Sequence, residues 1–314
     1  MSETTGPGPR RCAVIVNPSK IKNDFKDTVL TALSANSFGD PLWLETTEED
    51  PGREMVARAV KEQVDLVLGA GGDGTIRVIA AGLVGSDIEF GIIPSGTGNL
   101  LARNLAIPLD QDSALELALS DKVRRIDMIK LTVDDREPDH FAVMAGVGVD
   151  AVVMQATNPK LKQVIGSAAY LVAAGEALGR LPLDAMITID DRKPFRRRAS
   201  LCVVGNVGKL QADITLMPDA KADDGRLDLL IASPRRFRDW LRLISKVLLR
   251  RPHQDDQLDR LSGQKVRIAI RGKDVYQMDG DTEGECSTML AEVVPGAILV
   301  KAPDDPEVKE HIPS

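Results

Sequence analysis

VDLVLGAGGDGTI, residues 64–76, decides the fold of this chain. The run from Val64 to Ala70 is apolar almost without a break, as in a strand buried on both faces, and such strands belong to parallel sheets covered by helices. Gly71-Gly72 ends it, and a helix opens at about Gly74. Upstream, RCAVIV (11–16) is a second apolar run that stops at the turn signal Asn17-Pro18. Phe25, Val29, Leu30 and Leu33 recur at helical spacing over 25–35. LWLET (42–46) reads as a strand, and 51–62 as a helix with Pro51 in its first turn. Downstream, EFGIIP (89–94) is another buried strand, followed by a glycine-rich turn and a helix to about Asn104. This βαβα order predicts a Rossmann-like α/β domain with a parallel sheet.

Beyond about residue 130 the texture changes. Strand-like segments fall at 126–134, 140–147, 184–190, 198–205, 227–232, 265–270, 274–279, 288–294 and 297–301, interrupted by helical patterns at 161–179 and 235–250. The reading is an α/β domain over 1–132 and a β-rich, sandwich-like domain over 133–314, whose last strand can return to the first domain. The tail 303–314 is polar and contains proline, a composition expected to be loosely ordered.

The 314 residues are 43% hydrophobic but only 3% aromatic, so the core is aliphatic. A net charge of −7 gives no global positive field for a nucleic acid, and none is expected as a partner. Cys12, Cys202 and Cys286 form no CxxC pair, which fits a reducing compartment without a disulfide framework or zinc. No signal peptide or transmembrane run is read, so a cytoplasmic protein is expected.

Three loops carry chemistry. In Gly71-Gly72-Asp73-Gly74-Thr75 the glycines let backbone N–H groups approach an anion, and the following helix adds its dipole. Asp73 would repel a phosphate unless a divalent cation lay between them; the alternative is a turn with a helix-capping aspartate. Pro94-Ser95-Gly96-Thr97-Gly98-Asn99 follows a neighbouring buried strand, with Thr97 and Asn99 able to hydrogen-bond phosphate or nucleotide. Asn17-Pro18-Ser19-Lys20 follows the first strand. Three such loops at strand C-termini would face one crevice, where open α/β sheets bind ligands.

With VIVNPSK (14–20), GAGGDGTI (69–76), GIIPSGTGNLLARNL (91–105), RRIDMIKL (124–131), GVGVDA (146–151), PDAKADDGRLDL (218–229) and MDGD (278–281) in order, the chain resembles the diacylglycerol kinase catalytic family, which includes bacterial lipid kinases and sphingosine kinases. The resemblance implies a phosphofructokinase- or NAD-kinase-like first domain that binds ATP, and an active site in the cleft between domains. It implies ATP contacts from Asn17, Pro18, the loop of Gly71, Gly72, Gly74 and Thr75, and Thr97 and Asn99, with Thr46 or Thr47 lining the pocket. Asp73 and Asp127 match residues that organise catalytic Mg²⁺ through water. Asp224, with the carbonyls of Lys221 and Arg226, matches a structural magnesium site; read without the family, that segment is a solvated acidic turn. The family base is a glutamate in Asp-Gly-Glu. Here Asp281 holds that place with a reach shorter by about 1.5 Å, one C–C bond, and Glu283 is the substitute. Leu100 stands where many relatives carry aspartate.

Phosphoryl transfer needs positioning and charge neutralisation above all. The expected activity is ATP-dependent phosphorylation of a hydroxyl of diacylglycerol or a related lipid, at the inner membrane face, with a homodimer left open. The basic amphipathic stretch 235–251, including Phe237, Trp240 and Ile244, is a candidate membrane contact, against packing on the β-domain. An NAD kinase-like enzyme and a non-catalytic lipid-binding relative are the competing readings. The Pro-Ser-Gly-Thr-Gly-Asn loop and PDAKADDG segment disfavour the first, and the retained Asp73, Thr97, Asp127 and Asp224 the second.

Overall fold

A computed structural model describes residues 9–148, 182–210, 215–233 and 258–304. The expected helices at 161–179 and 235–250, with Trp240, lie outside them. The chain divides into two compact units, one running to Ile126 and resuming at Ala297, the other spanning Asp127–Gly296. The sequence texture set the change near 132.

In the first unit, β1 (Cys12–Val16), β2 (Leu42–Glu45), β3 (Leu66–Gly71) and β4 (Glu89–Pro94) are parallel, in the order β4-β3-β1-β2. The end of β14 (Asp281–Val300) adds to β4 through Leu299 and Val300. β1 and β3 are buried along their whole length. Helices α1 (Phe25–Ala35), α2 (Arg53–Lys61), α3 (Asp73–Gly82), α4 (Leu100–Asn104) and α5 (Gln111–Ala118) connect the strands. α1 buries Phe25, Val29 and Leu33, the stripe its spacing predicts, while Leu30 is exposed. α2 starts later than expected. Asp50 accepts the N–H groups of Gly52, Arg53 and Glu54, which leaves Pro51 outside the helix. α5, unforeseen, is capped by Asp110, whose carboxylate accepts the Ser113 N–H at 2.8 Å.

The second unit is antiparallel. β12 (Leu258–Gly263), β11 (Leu227–Ala232), β10 (Leu201–Gly205), β7 (Met144–Val147), β13 (Lys265–Met278) and β14 are neighbours in that order. β8 (Leu183–Ile189) pairs with β13 and carries β9 (Phe195–Ala199) on its other edge, and β5 (Arg124–Val133) pairs with β6 (Asp139–Phe141). Alternate residues such as Ile187, Val204, Leu229, Ile268 and Met289 form an aliphatic core. The segments 265–270 and 274–279 are one strand with a register shift after Ala269, and 288–294 and 297–301 belong to the single strand β14.

Candidate active site

In the first unit the strand ends are level. Val16 lies opposite Ala70 and Glu45, and Gly71 opposite Pro94. Each following loop is tied to its neighbour by one more ladder bond: Asn17 N–H to Ala70 O (2.8 Å), Thr46 N–H to Val16 O (2.9 Å) and Ser95 N–H to Gly71 O (3.0 Å). All the sequence-predicted loops of this unit therefore leave the same edge. The chain order reverses direction between β1 and β3, so the loops of Asn17 and Gly71 flank the topological switch point where α/β sheets bind ligands.

The side chains divide between scaffold and open groups. Asn17 shapes its own turn, its Oδ1 accepting from Ser19 N (3.1 Å) and Ser19 Oγ (2.7 Å) around exposed Pro18. Thr46 is buried; Thr47 is exposed and its Oγ accepts from Asp50 N. Thr75 is buried against Gly71, where a Cβ would meet its side chain at 2.7 Å. Gly72 is the N-cap of α3 and supplies no capping side chain, and a helix N-terminus of this kind turns N–H groups and the positive end of its dipole toward an anion. A Cβ on Gly96 would stand 2.7 Å from Gly72 Cα, so the two glycine loops pack backbone to backbone.

Asp73 joins them. Its Oδ2 accepts the Asn99 N–H at 2.9 Å and its Oδ1 the Leu100 N–H at 2.6 Å. The aspartate is a cap, but of α4 rather than of its own helix. Asn99, in the left-handed region at φ 49°, closes its loop by exchanging bonds with Gly96 N–H (3.0 Å) and Gly96 O (2.9 Å). Thr97 is exposed at the tip. Leu100 is 3% exposed, so the residue after Asn99 is part of the apolar packing.

In the second unit Asp127 is 2% exposed and fully engaged. Its N–H donates to Ala222 O, its Oδ2 accepts from Gly225 N and its Oδ1 from Gly296 N, each at 2.7 Å. Burial pushes its carboxyl above the ordinary range against those bonds, with the charges of Asp224 and Asp223 adding to the push. Asp127 thereby clasps the 222–225 turn beside Asp224. Asp224, exposed, accepts the Arg226 N–H at 2.9 Å, and Lys221 and Arg226 are exposed around it. Asp228, on β11, is pushed up to about 6 by burial and then by Asp224 and Asp219. Among the described residues no three acidic, histidine or cysteine side chains converge as a metal cage. The set expected from the resemblance, Asp224 with the carbonyls of Lys221 and Arg226, is of a different kind, the oxygen-and-water donors that suit Mg²⁺.

Asp279 and Gly280, at φ 48° and 97°, make the two-residue turn between β13 and β14, and Met278 pairs with Asp281 across it. Positive φ at both positions is what a type I′ hairpin requires, and Asp-Gly supplies it. The Asp279 carboxylate is buried and accepts the N–H groups of Ala142, Val143 and Met144 at 3.3, 3.1 and 2.8 Å. Gln277, also buried, accepts the Gly280 N–H through Oε1 at 3.0 Å. Asp281, exposed, is thus mounted on a braced turn. Glu283 is the extra residue of a bulge, since Tyr276 pairs with Gly284 and Gln277 with Thr282. The roles of Gln277 and Asp279 escaped the sequence reading; the Asp-Gly dipeptide between apolar runs was the available signal for the turn.

Residues 11–131 match the diacylglycerol kinase catalytic domain, and residues 143–302 match the YegS C-terminal NAD kinase beta sandwich-like domain. A diacylglycerol kinase of Staphylococcus haemolyticus is 31% identical over 228 residues, covering 71% of this chain and 67% of the relative. The chain belongs to the diacylglycerol kinase family. It is accordingly a kinase. A putative diacylglycerol kinase from Bacillus anthracis superposes with a TM-score of 0.74 at 22% identity, over 95% of this chain and 99% of the other. An NAD kinase from Archaeoglobus fulgidus, solved in complex with ATP, reaches 0.52 at 13% identity over 94% of each chain, a likeness of fold alone. In this family member the α/β domain and the β-rich domain are therefore the architecture expected from sequence.

Proposed function

We propose that this kinase transfers the γ-phosphate of ATP to a hydroxyl of diacylglycerol or a closely related lipid, as a peripheral enzyme of the cytoplasmic membrane face. The observation that carries the reading is the α3 N-terminus, uncapped by its own Gly72 and set at the β1–β3 switch point beside Asp73. Backbone N–H groups there take the phosphates, and the loop of Thr97 closes on them from the next strand. Both Asp73 oxygens accept backbone N–H groups, and a carboxylate has acceptor capacity beyond two such bonds with which to order a water in the shell of a cation. The residues thus fit Mg²⁺ held through water at Asp73, and a structural ion at Asp224 with the Lys221 and Arg226 carbonyls. Bound there, Mg²⁺ would neutralise phosphate charge. Asp127 keeps the Asp224 turn in place, and Asp281 takes the proton from the lipid hydroxyl.

Incubating the purified protein with γ-labelled ATP and either dioleoylglycerol in mixed micelles or NAD tests the assignment. Label in the lipid alone is expected. Label in NAD alone, or ATP-independent lipid binding without transfer, would refute it.

A further inference from the structure

The outer face of β8, β9 and β13 concentrates arginines against the sign of the whole chain. On these strands Ile187, Ile189, Val266 and Ile268 enter the core, and the two-residue period turns their neighbours outward. The register sets Arg198 beside Asp184, Arg196 beside Met186, and Arg267 beside Thr188. Arg196 hydrogen-bonds Asp184, and that bond, followed by the charges of Arg196, Arg198 and Arg271, holds the Asp184 carboxyl below its ordinary range. Arg196, Arg198 and Arg271 thus surround Asp184, and Arg267 continues the row toward Lys265, whose charge is paired with Glu292 at 2.7 Å; all four arginines are exposed, and Met186 beside them is 45% exposed.

We propose that this sheet face docks the kinase onto an anionic membrane. The inference rests on the lipid-kinase reading in one respect, that the acceptor resides in a bilayer. A chain of net charge −7 is repelled by anionic lipid at long range. Within a Debye length of about 8–10 Å the local sign governs, and on this face it is positive. Guanidinium groups on a sheet match lipid phosphates bidentately, and Met186 is an unbranched apolar side chain that can enter between headgroups. Met186, exposed among the arginines, has an apolar place to go in a bilayer and none on a phosphate backbone, which makes nucleic acid the poorer occupant.

The test is co-sedimentation with phosphatidylcholine vesicles, with and without phosphatidylglycerol, for the wild type, R267Q/R271Q and the control K61Q/K122Q. The control removes two exposed lysines of the other unit. Each basic residue at such a surface is worth about fivefold in binding, so R267Q/R271Q should bind anionic vesicles about 25-fold more weakly. The control and the thermal midpoints should stay unchanged, as should the rate on dioleoylglycerol in nonionic micelles. Equal wild-type binding to both vesicle types, an R267Q/R271Q variant that binds like wild type, or binding to DNA but not to vesicles would overturn the proposal. Loss of wild-type lipid phosphorylation in micelles would instead refute the kinase reading and leave the vesicle result standing.

Discussion

Asp73→Asn separates two jobs that the geometry gives to one carboxylate. In the wild type Asp73 accepts from Asn99 N at 2.9 Å and Leu100 N at 2.6 Å. An amide at this position has one acceptor oxygen, and its NH₂ group would point at the second backbone N–H. One charge-assisted bond is lost, about 1.5–3 kcal/mol. At about 2–4 °C per kcal/mol for a chain of this size class, the midpoint should fall by roughly 3–12 °C. If Asp73 also holds the water shell of Mg²⁺, turnover falls by a further factor unrelated to folding, about 10²–10³ as for loss of one transition-state electrostatic group.

The two effects are read separately, by thermal melts and by radiolabel transfer to dioleoylglycerol well below the variant's midpoint. A variant with the lowered midpoint and near-normal turnover would reduce Asp73 to a cap of α4 and refute the metal role. An unchanged midpoint would refute the brace.

Asp281→Ala should slow transfer about 10²–10⁴-fold, in line with loss of a general base, and Glu283→Ala much less. The opposite ranking in steady-state rates would move the base to the bulge. Asp279→Ala leaves three buried N–H groups without their acceptor and should cost about 3–5 kcal/mol in chemical denaturation; Asp279→Asn, at home at positive φ, should cost less. Asp228 sits at about 6 because of burial and then the charges of Asp224 and Asp219. A carboxyl raised in the fold favours the folded state below its unfolded value, and that stability is lost as pH rises through 6. Asp228→Asn should therefore melt higher than the wild type at pH 7.5, with the gain fading below about pH 4, the unperturbed carboxyl value; a gain independent of pH would contradict the assignment.

Strands with continuous or alternating apolar residues were legible from the sequence because burial wrote them there: 12–16, 66–71, 89–94 and 227–232 needed no tertiary information. β9 and β12 were not. FRRRA and LDRLSG carry their charges on sheet-edge strands, where charge prevents further pairing and hides the strand from a hydrophobic pattern. The expected break between 294 and 297 falls at Pro295-Gly296, yet β14 runs through it with Gly296 at φ 56°. The glycine loops were equally plain from composition. Their junction was not, because the bond from Asp73 to Leu100 spans 27 residues and exists only once Gly71 and Pro94 are in register.

Leu100 sharpens what that junction must do. The two glycine loops, 71–75 and 94–99, contain one acidic residue between them, Asp73. Just after Asn99 this chain buries a leucine, which brings an N–H to Asp73 but no carboxylate. A cation at these loops therefore meets a single carboxylate from the loops themselves and completes its shell with water and phosphate oxygens. Mg²⁺ tolerates that arrangement, since it sheds water reluctantly and binds through one or two carboxylates plus substrate phosphates, whereas Ca²⁺ takes six to eight oxygen ligands in a looser cage. It follows that Mg²⁺ should bind at these loops detectably only together with ATP. Tight Mg²⁺ binding to the nucleotide-free wild type that survives Asp224→Ala but is lost in Asp73→Asn would contradict this, because one carboxylate already engaged by two N–H groups cannot hold a bare ion.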